Sequence, residues 1–166
     1  MKKIGKLIVT ILFLNLLIGC NLANTPTSQV EDFLSSYQML NKKIKIDEKD
    51  LLPDEQLSKD LKVEYQKLIK KQYQNLSYSV KDEKIDGNKA TVEVEVTVLN
   101  YKKEIDILEN NKNLDYPKTL LKKLKGTKEK ITYTINFKTK KDKDGNWKVQ
   151  TLDKEDRKKL LGIYSN

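Results

Sequence analysis

Apolar residues between Val30 and Leu40 recur every three or four positions, which is the spacing of one face of a helix. Thr25 before Pro26 offers a cap for this helix, and Ser28-Gln29-Val30-Glu31 offers an alternative capping box. Either start leads into the same buried stripe. The sequence therefore predicts an amphipathic helix near the beginning of the folded part of the chain.

The helical spacing returns from Leu57 to Ile69, with lysines largely on the opposite side. Pro53-Asp54 supplies a start signal for this second helix. Between the two helices, residues 41–50 are charged and poorly periodic, which is typical of a connection. The lysine-rich side of the second helix is either a solvated surface or a face for a membrane or polyanion.

The period changes to two from Leu76 to Ile85, and Asp86-Gly87-Asn88 follows as a hairpin turn. The returning strand places valines at 92, 94, 96 and 98 on one side and polar residues on the other. Beyond it, the apolar positions from Leu99 to Ile107 are odd-numbered. We interpret this change of phase as a continuing strand with a β-bulge or a sharp bend near Val98 to Asn100.

The last third of the chain predicts a short helix over Pro117 to Lys125, which Gly126 ends. Alternating residues from Ile131 to Phe137 and from Trp147 to Val149 predict a second hairpin around the turn 142–146. Asp153 and Gly162 bracket a terminal helix, Lys154 to Leu161. Helices first and antiparallel strands afterwards predict an α+β fold in which N-terminal helices cover one face of a bent sheet.

The N-terminal 20 residues resemble a bacterial lipoprotein signal peptide. Basic Lys2, Lys3 and Lys6 precede a short apolar run, and Leu17-Ile18-Gly19-Cys20 is similar to a lipobox. The apolar run is shorter than the roughly 20 residues that a membrane-spanning helix needs. An ordinary secretory signal and a short uncleaved anchor remain the alternatives.

This resemblance implies cleavage between Gly19 and Cys20, a diacylglyceryl group on the Cys20 sulfur and acylation of the new N-terminus. Two acyl chains make a durable anchor, since each buried methylene contributes about 0.8 kcal/mol. We therefore expect a signal peptide over 1–19, a lipidated tether over 20–24 and a single domain over 25–166. The expected location is the outer face of the cytoplasmic membrane.

The amino-acid composition excludes several kinds of catalytic and metal-binding site. The chain has no histidine, and Cys20, its only cysteine, is assigned to the lipid. Sites that use a Ser-His or Cys-His pair, and zinc sites that need histidine or cysteine ligands, are therefore excluded. Loss of the leader lowers the formal net charge from +9 to +6, and Arg157 is the only arginine. Nucleic acid is disfavoured as a partner for an exported chain so poor in the arginines that grip phosphates.

Several segments also resemble small lipoproteins of Gram-positive bacteria with a nuclear-transport-factor-2-like fold, a family of mostly unknown function. The resemblance lies in Thr25-Pro26, in the helix face Val30 to Tyr37, in Asp86-Gly87-Asn88 with the valines after it, and in 144–149. It implies a strongly curved, cone-like antiparallel sheet that wraps round helices and can hold a hydrophobic pocket. Catalytic members of that superfamily use Asp, Tyr and often His in the pocket.

Three candidate sites follow from the residues. Asp142-x-Asp144-Gly145-Asn146 is either a hairpin turn or a fragment of a calcium loop that lacks the later glutamate. Asp106 is either a carboxylate facing a cavity or a residue on the solvent-exposed face of the predicted strand. Aromatic residues on the core side either pack the core or line a ligand pocket; these are Tyr37, Tyr65, Tyr78, Tyr101, Tyr133 and Trp147.

The densest basic run lies between Lys118 and Lys130 and is either a solvated surface or a contact for anionic headgroups or wall polymers. Overall, we expect a membrane-anchored, non-catalytic domain that binds an envelope protein or a small hydrophobic ligand. The alternatives are a pocket enzyme using tyrosine or aspartate and electrostatic docking to anionic envelope polymers. We expect no catalytic residue, metal site or cofactor, and the specific chemical site is Cys20.

Overall fold

The chain folds as an α+β structure around an open, four-stranded antiparallel sheet, as the sequence predicts. The computed structural model describes residues 24–41, 44, 46–52, 57–109 and 115–165. Within these ranges lie the helices α1 (Pro26–Gln38), α2 (Lys59–Gln74), α3 (Tyr101–Glu109), α4 (Tyr116–Gly126) and α5 (Lys154–Leu161). The strands are β1 (Ser77–Asp86), β2 (Lys89–Leu99), β3 (Lys130–Lys141) and β4 (Trp147–Val149), and Glu48–Asp50 forms a 3-10 turn.

The strands follow one another across the sheet in chain order, β1-β2-β3-β4. On β2 the four predicted valines are completely buried, while the residues between them are partly exposed. Val94 pairs with Ile135 of β3, and Val96 pairs with Tyr133. We call this buried side the inner face and the opposite side the outer face. Apolar residues of α1, α2 and α5 join the inner face in one buried cluster.

The predicted strand after Val98 is wrong, because β2 ends at Leu99 and α3 begins at Tyr101. The Asn100 side-chain oxygen accepts a hydrogen bond from the Lys103 backbone N at 3.3 Å, which caps this helix. Tyr101, Ile105 and Leu108 are buried or partly buried at helical spacing. The bulge occurs elsewhere, in β1, where the register with β2 shifts between Val80 and Asp82.

The two N-terminal helices begin at different kinds of cap. Thr25 and Ser28 form a reciprocal capping box at the start of α1, so the Thr25 start is the correct one. The second helix begins later than predicted, at Lys59, and the Ser58 hydroxyl accepts from the Leu61 backbone N. The predicted start signal at Pro53-Asp54 lies outside the described residues.

A buried amide joins three distant parts of the chain. Gln72 of α2 is completely buried, and its Nε2 donates to the carbonyl oxygens of Leu99 and Leu161, both at 2.8 Å. Its Oε1 accepts from the Leu99 backbone N at 3.1 Å. Gly162 ends α5 in the left-handed conformation, as predicted, and its carbonyl accepts from the Lys102 backbone N at 2.7 Å. This junction holds the end of β2 against α2 and the chain terminus.

Helices α2 and α4 are linked by a carboxylate shared between two lysines. Glu64 of α2 accepts from Lys125 of α4 at 2.5 Å and from Lys67 at 2.7 Å. The hydrogen bond from Lys125, followed by that from Lys67, lowers the pKa of Glu64 from 4.5 to about 2. Because the folded pKa is depressed, this contribution to stability is present above pH 4.5 and is lost as the pH falls through about 2.

We expect Lys125→Gln to raise the pKa of Glu64 toward its ordinary value of 4.5, since the strongest hydrogen bond to the carboxylate is removed. A side-chain carboxyl NMR titration measures this change. Lys122→Gln, an exposed lysine of the same helix, is the matched control and should leave the titration unchanged. A Glu64 carboxyl that already titrates near 4.5 in the unmodified chain would contradict the expectation.

Candidate functional site

An aromatic groove opens beside α1. Phe33 and Tyr37 lie one turn apart on α1, with ring centroids 5.2 Å apart. Tyr37 meets Tyr73 of α2 edge to face at 4.8 Å, and Phe33 meets Phe137 of β3 at 5.9 Å. The groove has a volume of about 580 Å³ and is also lined by Asp47, Asp50 and Arg157. An apolar surface with a few converging polar groups is the usual composition of a small-molecule site.

Arg157 connects this aromatic groove with two neighbouring cavities. One has about 240 Å³ and is formed by Phe33, Tyr37 and the segment 149–152, and the other has about 630 Å³ and lies near the chain terminus. The Arg157 Nη1 donates to the Leu152 carbonyl oxygen at 2.7 Å, which orients the guanidinium. Among the described residues, no carboxylate lies within ion-pair distance of it. The remaining N–H groups can therefore donate to a ligand.

The groove tyrosines are hydrogen-bond donors at neutral pH. Burial raises the pKa of the Tyr37 phenol; the charge of Arg157 lowers it in part, and Asp50 raises it. Burial is also the main cause of the raised pKa of Tyr73, with Tyr37 and Asp50 adding to it. A protonated phenol can orient a ligand, but it is a poor general base near pH 7.

Most of the six predicted aromatic candidates pack the core. Tyr65, Tyr101, Tyr133 and Trp147 are all less than 10 % exposed, and none of them lines the aromatic groove among the described residues. The Tyr65 hydroxyl donates to the Pro117 carbonyl oxygen at 2.6 Å, while the buried Tyr101 hydroxyl has no partner in the described part of the chain. Tyr37 alone of the six lines the groove, and Tyr78 lies partly buried at the edge of the sheet.

The two acidic candidates have structural roles. Asp142 closes the β3–β4 turn, since its Oδ1 accepts from the backbone N of Asp144 at 3.0 Å and of Asn146 at 2.9 Å. The hairpin turn is thus the correct interpretation of this segment. Asp106 is exposed and pairs with Lys102, but on helix α3 and not on a strand. In the described ranges, no group of three acidic side chains is placed to hold a metal ion.

The basic run from Lys118 to Lys130 occupies α4 and the start of β3. Part of its charge is neutralised, because Lys125 pairs with Glu64 and Lys118 approaches Asp115 at 3.9 Å. Nearby, Glu129 pairs with Lys103 of α3. The predicted signal peptide, the predicted cleavage site at Gly19–Cys20 and the predicted lipid attachment at Cys20 lie outside the described residues. None of the helices in the described ranges is long and apolar enough to span a membrane.

Sequence patterns identified Tyr37 as a candidate for the groove but not Phe33, Tyr73 or Arg157. Tyr73 falls on the core side of α2, and Arg157 lies on the exposed side of a short helix. The sequence signal that could have pointed to Arg157 is its residue type, since it is the single arginine among 33 basic residues. Comparisons with models of protein families, with curated proteins and with solved structures find no match to this chain.

Proposed function

We propose that this chain is a membrane-anchored extracytoplasmic lipoprotein whose folded domain binds a small ligand and does not catalyse a reaction. The anchor is supported by the lipobox-like Leu17-Ile18-Gly19-Cys20 after a short apolar run. The binding role is supported by the aromatic groove beside α1. The observation that carries it is a guanidinium without a carboxylate partner in the described residues, placed beside Phe33 and Tyr37.

A nuclear-transport-factor-2-like cone is our proposal for the finer class of the fold. It is supported by the two helices that precede the antiparallel sheet in the chain and by the bulge between Val80 and Asp82, which increases local twist. Helix α1 contributes Phe33 and Tyr37 to the aromatic groove, and a fold of that class can hold a hydrophobic pocket. The proposal places the ligand in the aromatic groove, between α1, Tyr73 of α2 and Arg157 of α5.

The ligand that this groove fits is a small molecule with an apolar or aromatic body and one anionic group. Rings can pack against Phe33 and Tyr37, since exposed aromatic edges and faces favour such contacts. A carboxylate can take two parallel N–H donors from Arg157. The raised pKa values of Tyr37 and Tyr73 favour ligand binding over the alternative of an acid–base enzyme.

The experiment compares acids with uncharged analogues. Thermal-shift and calorimetric titrations use benzoate, phenylacetate and octanoate beside the corresponding amides. We expect acids to bind more tightly than amides, and Arg157→Gln to weaken acid binding about 10- to 100-fold, the worth of a charged hydrogen bond of roughly 1.5–3 kcal/mol. Tyr37→Leu should weaken acids and amides alike.

Lys154→Gln is the matched control, because it removes one positive charge from the same helix and does not line the aromatic groove among the described residues. It should leave acid binding within about twofold. Equal binding of acids by the unmodified chain and by Arg157→Gln would contradict the role of the arginine. Absence of any shift with all six probes would contradict the aromatic ligand class.

A further inference from the structure

Three lysines stand in one row across the end of the sheet where both hairpin turns lie. Lys89 pairs with Lys140 between β2 and β3, and Lys140 pairs with Lys148 between β3 and β4. All three are exposed, and the alternation along β2 and β3 puts them on the outer face. Like charges directly opposite one another destabilise a sheet. The row therefore carries a repulsion that an anionic partner would relieve.

The surroundings of the row are also basic. We call residues 84–91 and 138–148 the hairpin end, because the two turns are joined there by a hydrogen bond of 2.9 Å from Lys141 N to Asn88 O. Asp86 pairs with Lys89 across the β1–β2 turn. The Asp142 carboxylate accepts a hydrogen bond from the Asp144 backbone N within the β3–β4 turn. No carboxylate in the described residues lies within ion-pair distance of the three-lysine row. The hairpin end contains three acids, Asp86, Asp142 and Asp144, against Lys84, Lys89, Lys138, Lys140, Lys141, Lys143 and Lys148.

The start of the described chain is fixed to this same end. Asn24 donates through Nδ2 to Asn146 Oδ1 at 2.8 Å, and its Oδ1 accepts from Trp147 N at 2.9 Å. Four residue steps separate Asn24 from Cys20, and a chain of that length spans at most about 14 Å. In a chain anchored through Cys20, the hairpin end is therefore held close to the bilayer.

The basic run of α4 lies at the opposite end of the sheet. Lys130 pairs with Leu99, whereas Lys140 pairs with Lys89, so β3 runs from one end to the other. Its eleven residue steps from Lys130 to Lys141 correspond to about 36 Å. That length is several times the Debye screening length, which is about 8 Å at physiological salt. With the anchor beside Asn24, the α4 run is the more distant basic surface.

We propose that the hairpin end is a docking surface for anionic phospholipid headgroups, with Lys89, Lys140 and Lys148 as its central contacts. This inference rests on the proposed anchor, which supplies the proximity, while the lysine row supplies the charge complementarity. The contact fixes the orientation of the anchored domain, with the β1–β2 and β3–β4 turns toward the membrane and α4 away from it.

The test measures the distance of two positions from the bilayer in the full, lipidated chain. Lys143→Cys and Lys122→Cys each provide one dye site, because the acylated Cys20 does not react. The chain is placed in phosphatidylcholine vesicles with or without phosphatidylglycerol, and a quencher is carried on the lipid headgroups. We expect the dye at position 143 to be quenched more than the dye at 122 in both kinds of vesicle, and quenching at 143 to rise several-fold when phosphatidylglycerol is present.

The charge is then removed in matched triple variants. Lys89→Gln with Lys140→Gln and Lys148→Gln should weaken the contact about 100-fold, roughly fivefold for each lysine, so that quenching at 143 falls to its level in neutral vesicles. Lys118→Gln with Lys122→Gln and Lys123→Gln removes the same charge from α4 and should leave quenching at 143 unchanged. Thermal melts of both triple variants establish that the fold is retained.

The outcomes separate the inference from the proposed function. Mass spectrometry that finds no lipid on Cys20 contradicts the anchor. In a lipidated preparation, equal quenching at both positions, stronger quenching at 122, or no effect of the hairpin-end triple variant overturns the docking surface. Quenching at 143 that does not rise with phosphatidylglycerol, together with salt-sensitive binding of soluble polyglycerol phosphate, would assign the lysine row to a wall polymer and also overturn it.

Discussion

Gly162→Ala should destabilise the protein by about 3–5 kcal/mol, the largest effect that we expect from a single methyl group in this chain. A Cβ at this position would stand 2.0 Å from the Leu99 carbonyl oxygen and 2.6 Å from Gln72 Nε2. The backbone at Gly162 also has φ of +71°, a region that costs other residues about 1–2 kcal/mol. The free-energy costs of the steric clash and of the backbone strain therefore add.

The clash cannot be relieved without loss of the buried junction. Moving Leu99 breaks its hydrogen bonds to Gln72, and moving Gly162 breaks the bond from Lys102 N to its carbonyl oxygen. Each buried polar group left without a partner costs about 1–3 kcal/mol. We therefore expect the end of β2, α2 and the terminus of α5 to loosen together.

Urea unfolding at pH 7 measures the difference, and Gly145→Ala is its matched control. Gly145 has φ of +81°, but a Cβ added there would have no atom within 4 Å, so that variant carries the conformational strain without the clash. It should cost about 1–2 kcal/mol. Equal losses for the two variants would show that the close approach to Leu99 contributes nothing.

Cys20→Ala should abolish lipid attachment completely, since no other cysteine exists to carry the thioether. The unmodified chain should incorporate labelled fatty acid, and its mature N-terminal peptide should begin at Cys20 with the added mass of the lipid. The variant should carry no label. One acyl chain binds membranes only marginally, and two are needed for durable attachment, so the loss removes the anchor.

A displaced cysteine controls for the thiol itself. Lys143→Cys in the Cys20→Ala background restores the thiol at an exposed position of the hairpin end. It should remain unlabelled, because the modification depends on the residues before Cys20. Label retained by Cys20→Ala would contradict Cys20 as the attachment site. Absence of lipid on the unsubstituted chain would favour the ordinary secretory signal or the short anchor.

Patterns that repeat over many residues predicted the fold where burial is regular. Burial of the four valines of β2, the second hairpin and the terminal helix between Asp153 and Gly162 are all confirmed. The prediction of a strand after Leu99 is wrong because Tyr101 and Ile105 fit either a strand or a helix, and Lys103 between them already interrupts the alternation. Asn100, whose side chain caps the start of α3, is the local sequence signal for that helix.

The α+β class, the buried face of β2 and the chemistry that the composition excludes follow from the amino-acid sequence, because periodicity and residue content are local properties. The packing of the folded chain brings Phe33, Tyr37, Tyr73 and Arg157 into one groove, since they come from three helices separated along the chain. It also decided which lysines share an end of the sheet with Asn24. Strand register, which brings Lys89, Lys140 and Lys148 into one row, is set by packing across the sheet and cannot be read from any one segment.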